Sequence, residues 1–144
     1  MAERGKIRNR ERAKQLNDFH GLCYGKITPM DIDGFIDFGN QLFVFFEGKC
    51  GTAQMEYGQS LAFERLVDAG ECTTCKPPRR SVGFIVRHDI EDPNIDVDYA
   101  QTFVTRYRVG GHWFIPKRPI TLRAAIDVFH REYVPQNRPL LEGI

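Results

Sequence analysis

The run Asp31-Ile-Asp33-Gly-Phe-Ile-Asp37-Phe, then Gly39-Asn40, then Gln41-Leu-Phe-Val-Phe-Phe46 and Glu47-Gly48-Lys49, constrains this chain more than any other segment. Two stretches rich in Ile, Val and Phe, separated by Gly-Asn, read as antiparallel strands joined by a tight turn. Side chains alternate across a strand, so Asp31, Asp33 and Asp37 share one side of the first stretch. On the second, Phe43, Phe45 and Glu47 share a face, and Val44, Phe46 and Gly48 take the other. Glu47 and Lys49, two residues apart, point the same way. The apolar run Leu42 to Phe46 has the pattern of a central strand covered on both faces, yet it passes directly into Glu-Gly-Lys. Charges at the end of a buried strand are costly unless they have partners or a ligand.

Such a hairpin gathers acids and a lysine at one edge of a small sheet. Magnesium prefers oxygen ligands, and two carboxylates can hold it while leaving positions for water and a substrate phosphate. Gly48 has no side chain to crowd the site, and its carbonyl offers a further oxygen. Lys49 would orient the attacking water or offset charge developing on the phosphate. The chemistry implied is metal-dependent phosphodiester hydrolysis. The competing reading is an ordinary hairpin with solvated acids and a lysine beyond its end.

The pattern Asp-Ile-Asp33, a turn, an apolar strand and Glu47-x-Lys49 resembles the PD-(D/E)xK nuclease superfamily, in particular its small Holliday-junction-resolvase-like and phage-associated members. The resemblance covers roughly residues 11 to 88. It implies a restriction-endonuclease-like α/β fold, a small mixed β-sheet flanked by helices. It also implies that Asp33 and Glu47 bind Mg2+ or Mn2+ with help from the Gly48 carbonyl, while Lys49 assists the hydrolytic water. Asp31 is the alternative or additional carboxylate, and Glu11 the nearest candidate for the acid that the family's first helix often adds. Gln59 matches the Gln that begins the helix after the motif, and Arg65 would support the metal-bound water or the DNA backbone. Met30 separates Pro29 from the nearest Asp, so the family's Pro-Asp pair is absent in strict form. The implied activity is a nuclease acting on DNA, with a catalytically inactive DNA-binding or protein-interaction module as the alternative. A homodimer is expected by analogy alone.

At 144 residues, 42% of them hydrophobic, the chain suits one domain with a real core, spanning 1–144 with a loose tail from about residue 135. The absence of a long apolar run or an apolar N-terminal segment points to a cytoplasmic protein without a membrane span. Four cysteines, Cys23, Cys50, Cys72 and Cys75, are too few and too scattered for a disulfide scaffold. Cys72-Thr-Thr-Cys75 has the spacing of half a zinc site but lacks a second close pair and follows the expected helix end, so it reads as unligated loop cysteines, with a small structural zinc domain as the remaining rival.

Helical spacing of Ala13, Leu16 and Phe19 or His20 predicts a first helix over residues 2 to 20, and residues 22 to 28 read as a short edge strand. A helix is expected from Gly58 to Ala69 with Leu61, Ala62, Leu66 and Ala69 inward and Gly70 as its cap. Ser81 to Val86 reads as a strand buried on both faces, ending near His88, which is either structural or part of a nucleic-acid cleft. Residues 89 to 98, with five acids around Pro93, read as a solvated turn. A hairpin turning at Gly110-Gly111 and a final helix capped by Thr121, with Leu122, Ala125, Ile126 and Phe129 as its apolar stripe, complete the chain.

Twenty Lys and Arg against 19 Asp and Glu leave the molecule nearly neutral, so an attraction to nucleic acid must come from distribution. Residues 99 to 126 contain no acid. Arg106, Arg108, Lys117 and Arg118 from this region, with Arg8, Arg12, Arg65, Arg79 and Arg80, are the candidate phosphate-backbone contacts. Tyr107 and Trp113 are expected to be core or hairpin-pair residues rather than base-stacking platforms.

Overall fold

Gly39 and Asn40 both adopt the left-handed backbone conformation, with φ of 58° and 62°. This reverses the chain tightly, and Gln41 N–H donates to the Phe38 carbonyl at 3.0 Å to close the turn. Strand β1 (Gly34–Phe38) therefore pairs antiparallel with β2 (Leu42–Cys50). Asp37 is absorbed by the turn, its carboxylate accepting from Asn40 N–H at 2.7 Å.

The computed structural model describes residues 5, 6 and 9–134. The chain divides into two compact units, Met1–Asp31 and Ile32–Ile144. In the first unit the expected long helix is reduced, among the described residues, to a single turn, α1 (Arg10–Ala13). Leu16 is 95% exposed and Ala13 is also exposed, so the segment buries no apolar stripe that could offset helix nucleation. The strand expected over 22–28 is also absent. A turn takes its place, with Tyr24 and Ile27 exchanging backbone hydrogen bonds around Gly25 at φ 64°. The tail expected from about residue 135 lies outside the described residues.

Among the described residues the second unit is a five-stranded mixed sheet in the order β1-β2-β3-β4-β5, with one α-helix on each face. After β2 the chain rises into α2 (Tyr57–Gly70) and returns as β3 (Arg80–His88), parallel to β2, the crossover that parallel pairing requires. Strands β4 (Phe103–Val109) and β5 (His112–Phe114) add antiparallel, joined by Gly110 and Gly111 at φ 61° and 80°. Residues 81–86 of β3 are all buried, as expected for a strand covered on both sides.

The larger core lies under α3 (Leu122–Tyr133), where Leu42, Val44, Val82, Phe84, Val86 and Val104 meet Leu122, Ala125 and Ile126. Thr121 caps this helix as expected, its hydroxyl accepting from Ala124 N–H at 3.2 Å. On the other face α2 buries Phe63, Val67 and Gly70, not the stripe expected from its sequence, and Leu66 is 39% exposed. Gly70 is the helix's last residue and does not take a left-handed cap. Its bare Cα lets Ser81 approach, since a methyl there would lie 2.5 Å from the Ser81 hydroxyl.

The decisive contact of this face is at Gly83. A methyl there would lie 2.5 Å from Val67 Cγ2 and 2.7 Å from Phe63 Cε1, so the glycine is the pit into which α2 settles. Gly83→Ala is expected to destabilise the protein by about 1–3 kcal/mol through overpacking. Urea unfolding checks this, and an unchanged midpoint would show that α2 does not seat on the sheet at this point.

Candidate active site

Glu47 emerges from the apolar run of β2 only 6% exposed, and the hydrogen bonds it accepts draw two other parts of the chain to the same sheet end. Its Oε2 accepts from the Asp33 backbone N–H at 3.2 Å, and its Oε1 accepts from Gln59 Nε2 at 3.2 Å. Lys49 Nζ lies 3.6 Å from Glu47 Oε1 and donates to Gln59 Oε1 at 3.1 Å. The three side chains form a closed ring. The fold explains it: Glu47 and Lys49 leave β2 on the face covered by α2, and Gln59 sits in that helix's first turn, just above the strand end it has left. The carboxyl ends of parallel strands are where open α/β sheets place their ligands.

Asp33 immediately precedes β1 rather than lying within it, so its side chain is freed from the strand's alternation. Its Oδ2 accepts from Gly48 N–H at 2.7 Å and from the Tyr99 hydroxyl at 2.9 Å. The N–H and C=O of one strand residue leave on the same side, so the Gly48 carbonyl also faces the Asp33 side of β2. A methyl on Gly48 would lie 2.6 Å from the Tyr99 hydroxyl, so glycine at this position is what admits the tyrosine.

The electrostatics are those of a crowded acid pair. Burial, then the negative charge of Asp33, raises the Glu47 pKa above its ordinary 4.5, against the opposing pull of Lys49 and of the hydrogen bonds it accepts. Burial, then Asp33, likewise raises the pKa of the Tyr99 phenol, which keeps it a hydrogen-bond donor to the carboxylate. Among the described residues no three His, Cys, Asp or Glu side chains converge as a metal-type group. The oxygens at this sheet end are instead the Asp33 and Glu47 carboxylates and the Gly48 carbonyl.

Of the residues singled out from sequence, Asp33, Glu47, Gly48, Lys49 and Gln59 meet. Asp31 and Glu11 belong to the N-terminal unit, where Glu11 pairs with Lys14 at 3.3 Å. Tyr99 was missed, because it arrives 66 residues after Asp33 on a short 3-10 turn and carries no motif. Among the candidate phosphate contacts, Arg108 is held by Asp68 at 2.7 Å and 2.8 Å. Arg80 pairs with Glu71 at 2.8 Å, and Arg79 donates to the Gly70 carbonyl at 2.6 Å and to Asn40 at 2.8 Å. These three knit α2 and the turns to the sheet. Arg65, Lys117 and Arg118 are exposed. Arg106 lies 4.1 Å over the Trp113 ring, which itself stacks on Phe63. Arg8 and the Arg12 side chain lie outside the described residues.

Away from this site, His88 Nδ1 accepts from Ile90 N–H at 3.1 Å, a local structural role. The Cys72 and Cys75 sulfurs are 2.6 Å apart, and hydrogen bonds from Cys75, then Thr74, lower the Cys72 thiol to about 7. Cys50 instead donates to the Ile90 carbonyl at 3.6 Å.

No family model matches the chain, and neither a curated protein nor a solved structure matches it. No helix among the described residues is long and apolar enough to cross a membrane.

Proposed function

We propose that this protein is a metal-dependent nuclease that hydrolyses phosphodiester bonds in DNA, with a sheet of the restriction-endonuclease-like kind. The observation that carries the reading is the ring of Glu47, Lys49 and Gln59 beside Asp33 at one end of the sheet. An ordinary solvated hairpin would leave these side chains apart and exposed, whereas here a glutamate 6% exposed is held next to a second carboxylate.

The donor set fits a magnesium or manganese ion. Two carboxylates crowd together with one nearby lysine, and the cost of charging Glu47 that burial and Asp33 impose is what a divalent cation would relieve. Asp33 and Glu47 would hold the ion, with the Gly48 carbonyl beside them. Bound there, it would supply Lewis-acid stabilisation of the phosphate and activation of water. The remaining work falls to the chain's own groups. Gln59 clamps both Glu47 and Lys49 in position, and Tyr99, together with Gly48 N–H, holds Asp33 through its Oδ2. Lys49 presents its ammonium where water adds to phosphorus as the bond to the leaving oxygen breaks, and it offsets the charge that develops.

The test is cleavage of labelled linear, single-stranded and four-way-junction DNA with magnesium or manganese, native protein against Lys49→Ala. Metal-dependent cutting that falls on the order of 10²-fold or more in the variant is expected. No cutting on any substrate, with salt-sensitive DNA binding retained, would replace the nuclease by a non-catalytic binding module.

A further inference from the structure

A cleft of about 200 Å³ opens beside Lys49, lined among others by Gln54, Ile85, Arg87, Thr105 and Arg106. Its lining includes three cationic side chains and no acid. Arg87 stands next to Lys49 in the parallel β2–β3 register, so the two side chains leave the sheet on the same face. Its Nη1 is shielded from solvent and has no hydrogen-bond partner among the described residues. A guanidinium donor buried in that way is costly unless something else accepts from it.

Two further features show that the cleft is shaped. Neighbouring strand residues ordinarily face opposite sides, yet Thr105 and Arg106 both line the cleft. The β3–β4 register shifts between Ile85 and Val86, opposite them, and that irregularity re-aims the strand. Thr105 Oγ1 donates to the Ile85 carbonyl at 3.0 Å and pins the distortion. Arg106 lies over the Trp113 ring at 4.1 Å and its Nη2 donates to Ser60 Oγ at 3.4 Å, two contacts that hold its planar fork at the cleft.

We propose that Arg87 and Arg106, with Lys49 at the border, form a phosphate-binding subsite that receives the nucleic-acid phosphate flanking the one attacked at Asp33 and Glu47. Two guanidinium forks across an acid-free cleft match the oxygens of a phosphate. Lys49 faces both sites and so links the held phosphate to the reacting one. That the phosphate belongs to a nucleic-acid chain rests on the nuclease reading; the anion site itself stands on the cleft.

The test uses the full chain in EDTA, without divalent metal, and two probes: inorganic phosphate and a short single-stranded oligonucleotide. Trp113 is the chain's single tryptophan and lies against Arg106, so its fluorescence reports occupancy directly. Phosphate is expected to change that fluorescence and raise the thermal midpoint of the native protein. Arg87→Gln, which removes the shielded guanidinium, is expected to lose both responses while keeping its own midpoint. Arg106→Gln removes the other wall of the cleft. In each variant oligonucleotide affinity should fall about tenfold, and the log–log salt slope by about 0.7. Phosphate and oligonucleotide responses equal to the native protein's in both variants would overturn the subsite, even if the nuclease cuts. Phosphate binding without any oligonucleotide binding would overturn the nucleic-acid assignment. Loss of binding in the variants from a protein that cuts nothing would uphold the subsite and remove the catalytic reading instead.

Discussion

Glu47→Gln should abolish cleavage, by on the order of 10³-fold or more, without unfolding the protein. The substitution keeps the side chain's size in a closely packed position and removes one charge from a pair of carboxylates. Its effect on stability follows from the direction in which the Glu47 pKa moves. Burial first, and Asp33 second, raise it above the ordinary 4.5. A carboxyl that holds its proton more tightly when folded costs nothing below its unfolded pKa. It destabilises the fold as pH rises through the interval up to the folded pKa, and the penalty persists above that. The variant lacks this penalty, although one of the two donors that serve Glu47, Asp33 N–H or Gln59 Nε2, then faces an amide nitrogen. Relative to the native protein, Glu47→Gln should therefore gain stability as pH is raised from acid toward neutral. Paired urea titrations across that range check the sign. A difference that moves the other way would mean that the buried carboxylate is stabilised by its neighbours, and native-rate cleavage by the variant would remove Glu47 from the chemistry.

The parts of this site that could be read from sequence are those made by near neighbours. Glu47 and Lys49 lie two apart on one strand, the Gly39-Asn40 turn brings Asp33 back to them, and Gln59 starts the next helix. Local alternation and one crossover suffice to place all four. Tyr99 and Arg87 could not be found in that way. Tyr99 reaches Asp33 across 66 residues, and Arg87 is the penultimate residue of a strand whose apolar character masks the guanidinium that leaves the sheet beside Lys49. The inward face of α2 failed for a related reason. Its sequence offers two stripes of suitable spacing, Leu61-Ala62-Leu66-Ala69 and Phe63-Val67-Gly70, and periodicity cannot choose between them. The sheet chooses, because Gly83 leaves a pit for Phe63 and Val67, and Ser81 comes close to Gly70. The basic N-terminal segment shows the opposite error. Its spacing is helical, but Leu16 is almost wholly exposed, and spacing without burial does not sustain a helix.

The two faces of the sheet differ in what they hold, and Phe84→Ala should make the difference measurable. Phe84 is fully buried on the α3 face, with ring centroids 5.7 Å from Phe129 and 6.3 Å from Tyr107. It stands between Val82 and Val86 in the larger of the two cores. Truncation there removes the whole phenyl ring from a layer whose neighbours are fixed by strand pairing on both sides, so the void closes only in part. The expected cost is about 3–5 kcal/mol, a fall in thermal midpoint of roughly 10–20 °C for a domain of this size. Catalysis should respond differently. Glu47, Lys49 and Gln59 leave on the α2 face, and their ring is closed by hydrogen bonds that do not pass through Phe84. At a temperature where the variant remains folded, cleavage per folded molecule should therefore match the native rate. A parallel loss of activity would mean that Tyr99, which packs against the α3-side core and holds Asp33, transmits the damage across the sheet. In that case the partition between a stabilising face and a reacting face would have to be given up.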